Sequence, residues 1–278
     1  MPNIRIIASN EADAAALSSA DFLAALPASN LQLQGRARVA RTEDAAGAKV
    51  IDGEWPSARV ISACVLHGHN LTSAATWRLQ GWAGAGQSGD LVLDSGAVPA
   101  LRRIPWGYFR FGLVPWGATV FSGWERAYSV MWLAPVAVRS WRLTLLDEDN
   151  ADGYLQAKRL LLGTYFSPEI NVEYGLELDW DEATTQERTQ AGTLHSDPGA
   201  QYRRLQGYFP HLSDVERSQL MELARRVGKR GEVFISVFPE AGSALERDYA
   251  LLGKFTQLPA GEHGDWASWS KQFTFEEG

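Results

Sequence analysis

The chain has 278 residues, 45% of them hydrophobic and 21% charged, with a formal net charge of −7. That length serves one large β-rich body or two smaller ones, each with its own core. The acidic balance and the lack of any Lys/Arg run argue against sequence-general nucleic-acid binding, which draws on phosphate neutralisation, and no uncharged apolar stretch approaches the ~20 residues of a membrane span.

The aromatic content is high, with 11 Trp, 11 Phe and 8 Tyr. Such residues favour strands and interface cores, so they predict a sandwich core of large inward side chains, a partner surface, or both. The single cysteine, Cys64, lies in the apolar run Val60–Leu66 and reads as a small core hydrophobe. With no signal-peptide layout at Met1–Arg5, this cysteine usage predicts synthesis in the cytoplasm.

In chain order, Ile4, Ile6 and Ile7 predict a first strand, and the Ala-rich stretch Glu11–Leu26 a short helix or turn stopped by Pro27. Leu31 and Leu33, alternating with glutamines, predict the next strand. Val60–Leu66 reads as a buried central strand, and Ala75–Trp82 as an alternating one followed by a glycine-marked loop at Gly84, Gly86 and Gly89. Leu91–Leu93 is a further short strand. Residues 97–135 carry Pro105-Trp106-Gly107-Tyr108 and Pro115-Trp116-Gly117, two tight turns in a long decorated loop. Long loops in compact bodies tend to carry function, which makes Trp106, Tyr108, Trp116 and Trp124 candidate contact residues; the competing reading is a lid folded back on the sandwich.

Strands follow at Trp141–Leu146 and Tyr154–Leu162, around the acidic loop Asp147–Gly153, and Pro168 marks the domain boundary. Val172, Tyr174, Leu176, Leu178 and Trp180 alternate with polar residues as a long half-buried strand. Asp181–Gly192 is polar and Thr-rich, suited to a loop or extended hairpin arm, and Tyr202–Phe209 is again a strand. One helix is predicted over 214–227, with Ser213 as N-cap, Glu216 at the capping-box position, an apolar stripe through Leu220, Leu223, Ala224 and Val227, and Gly228 as the stop. Strands at Glu232–Phe238, Tyr249–Leu258 and Trp266–Phe275 close the chain. The architecture expected is mostly β, in two parts: residues 1–165, and residues 166–278 with one packed helix.

The residues offer no catalytic constellation. His67 and His69 share a strand face but lack the further ligands a zinc site needs. Asp147–Gly153 has its glycine at the seventh position and Ala151 at the fifth, against the helix–loop–helix calcium pattern; it reads as a loop whose short acids cap backbone amides. Glu173, Glu177 and Asp179 read as the solvated side of a strand rather than paired glycosidase carboxylates. Ser122 and Ser129 have no base nearby in sequence, and Gly84-Ala85-Gly86 lacks the strand-to-helix context of a phosphate loop. No catalytic, cofactor-binding or metal-ligating residue is expected, and the function classes left are binding and assembly.

A family resemblance narrows these. Ile61–Leu71 with Ala75–Leu79, and then Arg139–Leu145 with Asn150, Gly153-Tyr154-Leu155 and Arg159–Gly163, resemble the opening and closing strands of the galactose-binding-like jelly rolls found in bacteriophage tail proteins. Tyr174–Trp180, Arg188–Gly192, Tyr202–Leu205, the helix through Gly228, Val233–Val237 and Leu252–Phe255 resemble distal-tail and related tail-tip proteins of long-tailed phages. The Pro/Trp/Gly insertion near 97–135 departs from that pattern. The resemblance implies an N-terminal galactose-binding-like jelly-roll sandwich and a C-terminal distal-tail-like β-sandwich with one helix. It implies a structural subunit of the tail tip or baseplate, located in the virion, forming a homo-oligomeric ring that joins the tail tube to the tip hub or fibres. On that reading the Asp181–Gly199 segment is an arm reaching a neighbour, with Arg188, His195, Tyr202 and Arg203 as candidate inter-subunit residues. The alternative is a carbohydrate-binding host-attachment protein of the same particle, in which Trp106, Tyr108, Trp116 and Trp124 stack on a host-surface glycan.

Overall fold

The computed structural model describes residues 2–35, 37–104, 107, 111–112, 117–122, 124, 126–265 and 268–278, with backbone alone for 258–265 and 268. It is mostly β, with one long helix, and divides into two compact units. One comprises Ser9–Tyr165 and Gly242–Arg247; the other comprises Met1–Ala8, Phe166–Ala241 and Asp248–Gly278. The chain crosses between them at 8/9, 165/166, 241/242 and 247/248, so residues 2–8 belong with the C-terminal unit and 242–247 with the N-terminal one.

The N-terminal unit is built on two 19-residue strands, Lys49–His67 and Tyr128–Leu146, paired antiparallel from Lys49↔Leu145 to His67↔Tyr128. The register slips between Glu54 and Arg59 and again between Ile61 and Ala63, where the ribbon bends. Arg159–Gly163 flanks the first long strand, and Thr76–Trp82 followed by Leu91–Asp94 flanks the second. Before the bend, burial along Lys49–Trp55 alternates as period two requires; after it, Ile61–His67 is buried on both faces. The core gathers Trp55, Trp77 and Trp141 with Ile51, Ile61, Cys64, Leu79, Leu143, Leu160 and Leu162.

Trp141 lies at the centre of this core. Its register partners on the two neighbouring strands are both glycines, Gly53 and Gly81. A Cβ at Gly53 would come within 2.2 Å of the Trp141 ring, and one at Gly81 within 2.9 Å of the Val138 methyls. The indole therefore lies across the space that a side chain at 53 would take, 6.1 Å from the Trp55 ring centre. At the unit's rim Arg159, only 3% exposed, is held by Asp13 through contacts of 2.5 and 2.7 Å and donates to the Leu31 carbonyl.

In the C-terminal unit an antiparallel sheet runs in the order Arg5–Ile7, Val233–Ser236, Ala250–Asp265, Ser268–Glu277, Gln201–Leu212, Glu177–Glu182. The helix Asp214–Val227 packs its Leu220, Leu223 and Val227 stripe against Phe209, Phe255, Phe273 and Phe275. Its capping box is complete in both directions: Ser213 Oγ accepts from the Glu216 amide, and the Glu216 carboxylate accepts from the Ser213 amide at 2.8 Å. Lys271 is only 1% exposed, and burial first, then the charge of Arg217, push its ammonium below the usual lysine range.

Several sequence expectations are corrected. In the stretch expected to be a short helix or turn, Glu11–Ala14 is a 3-10 turn capped by Asn10, and Ala16–Ser18 after it is a short strand. Leu31 and Leu33 belong to or border another 3-10 turn, Ala28–Gln32, because Pro27 starts a series of i→i+3 bonds that carries Leu31 into the core. The loop expected to run to 135 ends before Tyr128, where the second long strand begins. The strand expected from Val172 starts only at Glu177, since Gly175 adopts φ 104° and Tyr174 turns out to solvent. Tyr154–Leu162 divides into Gln156–Ala157 and Arg159–Gly163, which pair with different partners.

The Gly53–Trp141 contact makes a direct prediction. Gly53→Ala overpacks the core and lowers stability by about 1–3 kcal/mol in urea denaturation, whereas Gly47→Ala, with open space around its Cβ, loses only what its φ of 69° imposes. Equal stability of Gly53→Ala and the parent would contradict the packing described.

Candidate functional site

A cleft lies within the N-terminal unit. The start of the strand Tyr128–Leu146 forms its floor, Pro99–Arg102 one wall, Val120–Phe121 another, and Gly242–Arg247 the fourth side. Its space, with the open solvent at its mouth included, is about 520 Å³. Its aromatic lining is Phe121, Tyr128 and Trp132; its polar lining includes Arg102, Ser129, Ser243, Glu246 and Arg247.

Local interactions hold each wall. Tyr128 packs edge-on against Phe121, with ring centres 4.9 Å apart, and its hydroxyl donates to the Glu246 carbonyl at 3.0 Å. Trp132 meets Tyr165 edge-on at 5.4 Å. The Glu246 carboxylate accepts from the Gly242 amide at 2.7 Å, a short charge-assisted bond that closes the turn before the helix Ala244–Asp248. Gly242, at φ 64°, has no side chain because Arg102 occupies that space; a Cβ there would fall 2.5 Å from Arg102 Nη1. Arg247 donates Nη1–H to the Val120 carbonyl at 2.6 Å and stacks over the Trp124 ring at 4.2 Å.

Beneath the floor a serine and a histidine meet. Ser129 Oγ is 2.8 Å from His69 Nε2 and donates to the Ala100 carbonyl at 2.6 Å. His69 Nδ1 accepts from the Leu71 amide at 3.2 Å, so the network places the ring proton on Nε2, which donates to Ser129. In that tautomer the imidazole has no lone pair for the serine proton. Burial first, then the charge of His67, push its pKa down to about 3. A serine whose hydrogen is held by a carbonyl, beside a histidine already donating to it, is a structural bridge and not an activated nucleophile. Spacing along the chain could not reveal this pair, because 60 residues separate its members and the long-strand pairing brings them together.

The other site expectations fall as follows. Trp106, Tyr108 and Trp116 lie outside the described residues. Trp124 is half-buried beneath Arg247, beside the cleft. His67 and His69 gather no third ligand: among the described residues there is no group of three or more metal-ligating side chains. Asp147 binds the Thr72 amide at 2.8 Å and its hydroxyl at 2.6 Å, so the acidic loop caps a neighbouring turn as well as its own.

The Asp181–Gly199 segment forms a two-stranded ribbon. Thr185–Arg188 pairs with Leu194–Asp197, and every residue from 185 to 198 is exposed. The ribbon continues the ladder of Glu177–Glu182 with Gln201–Gln206 through the Ala183 amide to the Ala200 carbonyl. Gly199 sits at its base, where a Cβ would come 2.2 Å from the Ala183 carbonyl carbon. Arg188 and His195 are on the ribbon, Arg188 donating to Gly192 O at the tip. Tyr202 and Arg203 are not: both lie in the sheet strand that follows. Arg203 is 2% exposed and makes a buried ion pair with Glu277, at 2.6 Å through Nη2 and 3.1 Å through Nε, and also donates to the Asp248 carbonyl. The strand's inward alternation places it there, so its guanidinium is engaged within its own unit.

No family model matches the chain, and no curated protein matches it. Among solved structures, chitosan-binding module 1 of a chitosanase/glucanase from Paenibacillus sp. IK-5 is 9% identical, covers 56% of this chain and 99% of its own, and has a TM-score of 0.39. A family 32 carbohydrate-binding module from Clostridium perfringens, in complex with galactose, is 12% identical over 57% of this chain and 98% of its own, at a TM-score of 0.38. A further C. perfringens module of that family, in complex with GalNAc-β-1,3-galactose, is 10% identical over 56% of this chain and all of its own, at 0.37. At these scores and identities the likeness carries no argument for a shared ligand.

His69 gives the site a pH signature. Its folded pKa lies below its unfolded value, so the native state favours the neutral ring. The stabilisation is complete above the ordinary imidazole value of 6.5 and declines as pH falls from there toward about 3. Denaturation across that window should show stability falling with acid, and His69→Asn should flatten the upper part of the slope. An unchanged slope would assign the acid sensitivity to other groups.

Proposed function

We propose that this protein is a non-catalytic assembly subunit of a long-tailed phage tail tip or baseplate, docking on neighbouring tail proteins through the 181–199 ribbon. One observation carries the reading: the ribbon is a two-stranded hairpin exposed along its whole length. The ribbon extends the sheet ladder as two solvent-exposed strands, and its unpaired edges invite pairing with another chain. A partner surface accounts for both features, in keeping with the arm that the tail-tip resemblance implies. The ring and its neighbours, the tail tube on one side and the hub or fibres on the other, belong to this proposal.

Antibody labelling of virions in the electron microscope is the test, with label expected at the distal end of the tail. Complete absence from both intact and disrupted particles would reject the virion role. In parallel, replacing residues 186–196 by a short Gly-Ser turn should leave the isolated protein folded yet abolish its incorporation into tails. Normal incorporation of that variant would reject the ribbon as the docking element.

The cleft favours a second reading, that the subunit also holds a glycan at the host surface. Aromatic rings beside fixed polar groups suit a sugar, whose C–H faces stack while its hydroxyls hydrogen-bond. On a glycan array the intact protein should bind, and Phe121→Ala should weaken binding by about tenfold if the ring contributes on the order of 1.4 kcal/mol. Silence across the array would remove this reading and leave the assembly role untouched.

A further inference from the structure

The edge of the C-terminal sheet and the edge of the ribbon form one continuous line. Glu177–Glu182 pairs with Gln201–Gln206 on one side, and among the described residues no strand pairs on its other side. The chain continues through Ala183 into Thr185–Arg188, whose outer edge is equally open. The start of this edge, Glu-Leu-Asp-Trp-Asp-Glu, carries four carboxylates and no base. Asp181 is drawn to Arg204, at 3.1 Å. Glu177 and Asp179 share one strand face, are exposed, and make no ion pair among the described residues. Trp180, on the other face between them, is 59% exposed. Like charges placed opposite each other destabilise a ladder, so this edge resists a copy of itself and selects a basic counterpart.

The same unit carries such a counterpart on its far side. After the helix Asp214–Val227 comes the turn Gly228-Lys229-Arg230-Gly231, and residues 222–232 hold four bases against two acids. Arg225 and Arg226 share Glu222, at 2.6 and 3.6 Å, whereas Lys229 and Arg230 are exposed and make no ion pair among the described residues. The turn is fixed: the Gly228 amide donates to the Ala224 carbonyl at 2.9 Å and the Gly231 amide to the Val227 carbonyl at 3.0 Å. A Cβ at Gly231 would fall 2.7 Å from Val227 Cγ1, so the turn lies tight on the last helical turn. It leads directly into Val233–Ser236, and three strands of the sheet separate that strand from Glu177–Glu182. At ~4.8 Å per strand step, the two strands are roughly 19 Å apart. The free acids and the free bases thus belong to opposite sides of one sheet, out of reach of each other within a single unit but placed to meet between copies.

We infer that the acidic edge at Glu177–Glu182 receives the Lys229–Arg230 turn of a second copy of this chain. The contact is head-to-tail, so each copy gives one surface and offers the other, and repetition closes a ring or continues as a filament. Glu177 and Asp179 meet the two basic side chains, and Trp180 offers a ring face to a guanidinium. This rests on the assembly reading above and deepens it by naming both surfaces of the contact between copies.

Sedimentation velocity of the intact protein, at about 50 mM and about 500 mM salt, tests it, since the higher salt shortens the range of exposed charges severalfold. Self-association should rise with protein concentration at the lower salt and weaken at the higher. Lys229→Glu with Arg230→Glu, and separately Glu177→Lys with Asp179→Lys, should each weaken it by about tenfold or more, because attraction becomes repulsion. All four side chains are exposed, so circular dichroism should not change. Mixing the two variants, or placing all four changes in one chain, should restore association, since every patch again meets its opposite. A protein that stays monomeric at the lower salt would overturn the contact, as would association that neither reversal weakens. Failure of both the mixture and the fourfold variant to associate would also overturn it. A monomeric protein that still labels the tail tip would overturn this contact and leave the assembly role standing. Charge-dependent association of a protein absent from virions would support the contact and remove the phage role.

Discussion

The N-terminal unit depends on one steric arrangement: an indole between two glycines. Trp141 sits on the central strand, with Gly53 and Gly81 opposite it on the strands to either side. A large side chain in a sheet usually competes for space with its lateral neighbours. Here those neighbours have none, so the indole spreads over the Gly53 backbone and reaches Trp55. This brings aromatic bulk to the region just before the ribbon bends, where the register slips and regular pairing is interrupted. Beyond the slipped register, Ile61–His67 of the first long strand is buried on both faces.

The position of the cleft follows from the pairing at the far end of the two long strands. The floor is the first stretch of the strand Tyr128–Leu146, and the pairing of His67 with Tyr128 brings the turn after the first long strand beneath it. His69 in that turn then meets Ser129, and Ser129 ties Ala100 to the floor. A buried polar bridge of this kind is stable only when each atom has a partner. The neutral imidazole satisfies that condition at physiological pH. The same arrangement that holds the wall removes the pair from chemistry, because its hydrogens are already committed.

The C-terminal unit solves a different problem. Its helix covers one face of the sheet through three apolar positions and a set of phenylalanines, and the Arg203–Glu277 pair joins two adjacent regions of the sheet with both charges out of water. Removing one member of such a pair leaves the other buried and uncompensated, which makes the pair a constraint on the fold more than a source of net stability. The ribbon at 185–197 contrasts with this. It has ladder bonds and a tip turn, but no residue from 185 to 198 is withdrawn from solvent. The second unit thus joins a sheet whose core is completed within the chain to a ribbon whose residues 185–198 are all exposed.

Much of the fold was legible where local rules act alone. Ser213, Glu216 and Gly228 bound the helix because capping is decided by residues three or four apart. Thr76–Trp82 and the arm at Asp181–Gly199 followed from alternation and polarity in the same way. The strand expected from Val172 failed because Gly175 at φ 104° breaks the extended path before the apolar alternation can act. Arg203 was misplaced for another reason: a charged residue is taken to lie outside unless its partner is known, and Glu277 is 74 residues away. The cleft was hidden almost entirely. Its aromatics come from around 121–132, and its second arginine and its carboxylate from 246–247, which no spacing connects. By itself the sequence determined a mostly-β chain with one capped helix and an exposed polar arm, since these depend on period, propensity and solvation along the chain. Tertiary structure alone decided the Gly–Trp–Gly row, the Ser129–His69 bridge and the lining of the cleft, since each depends on pairing between segments far apart in sequence.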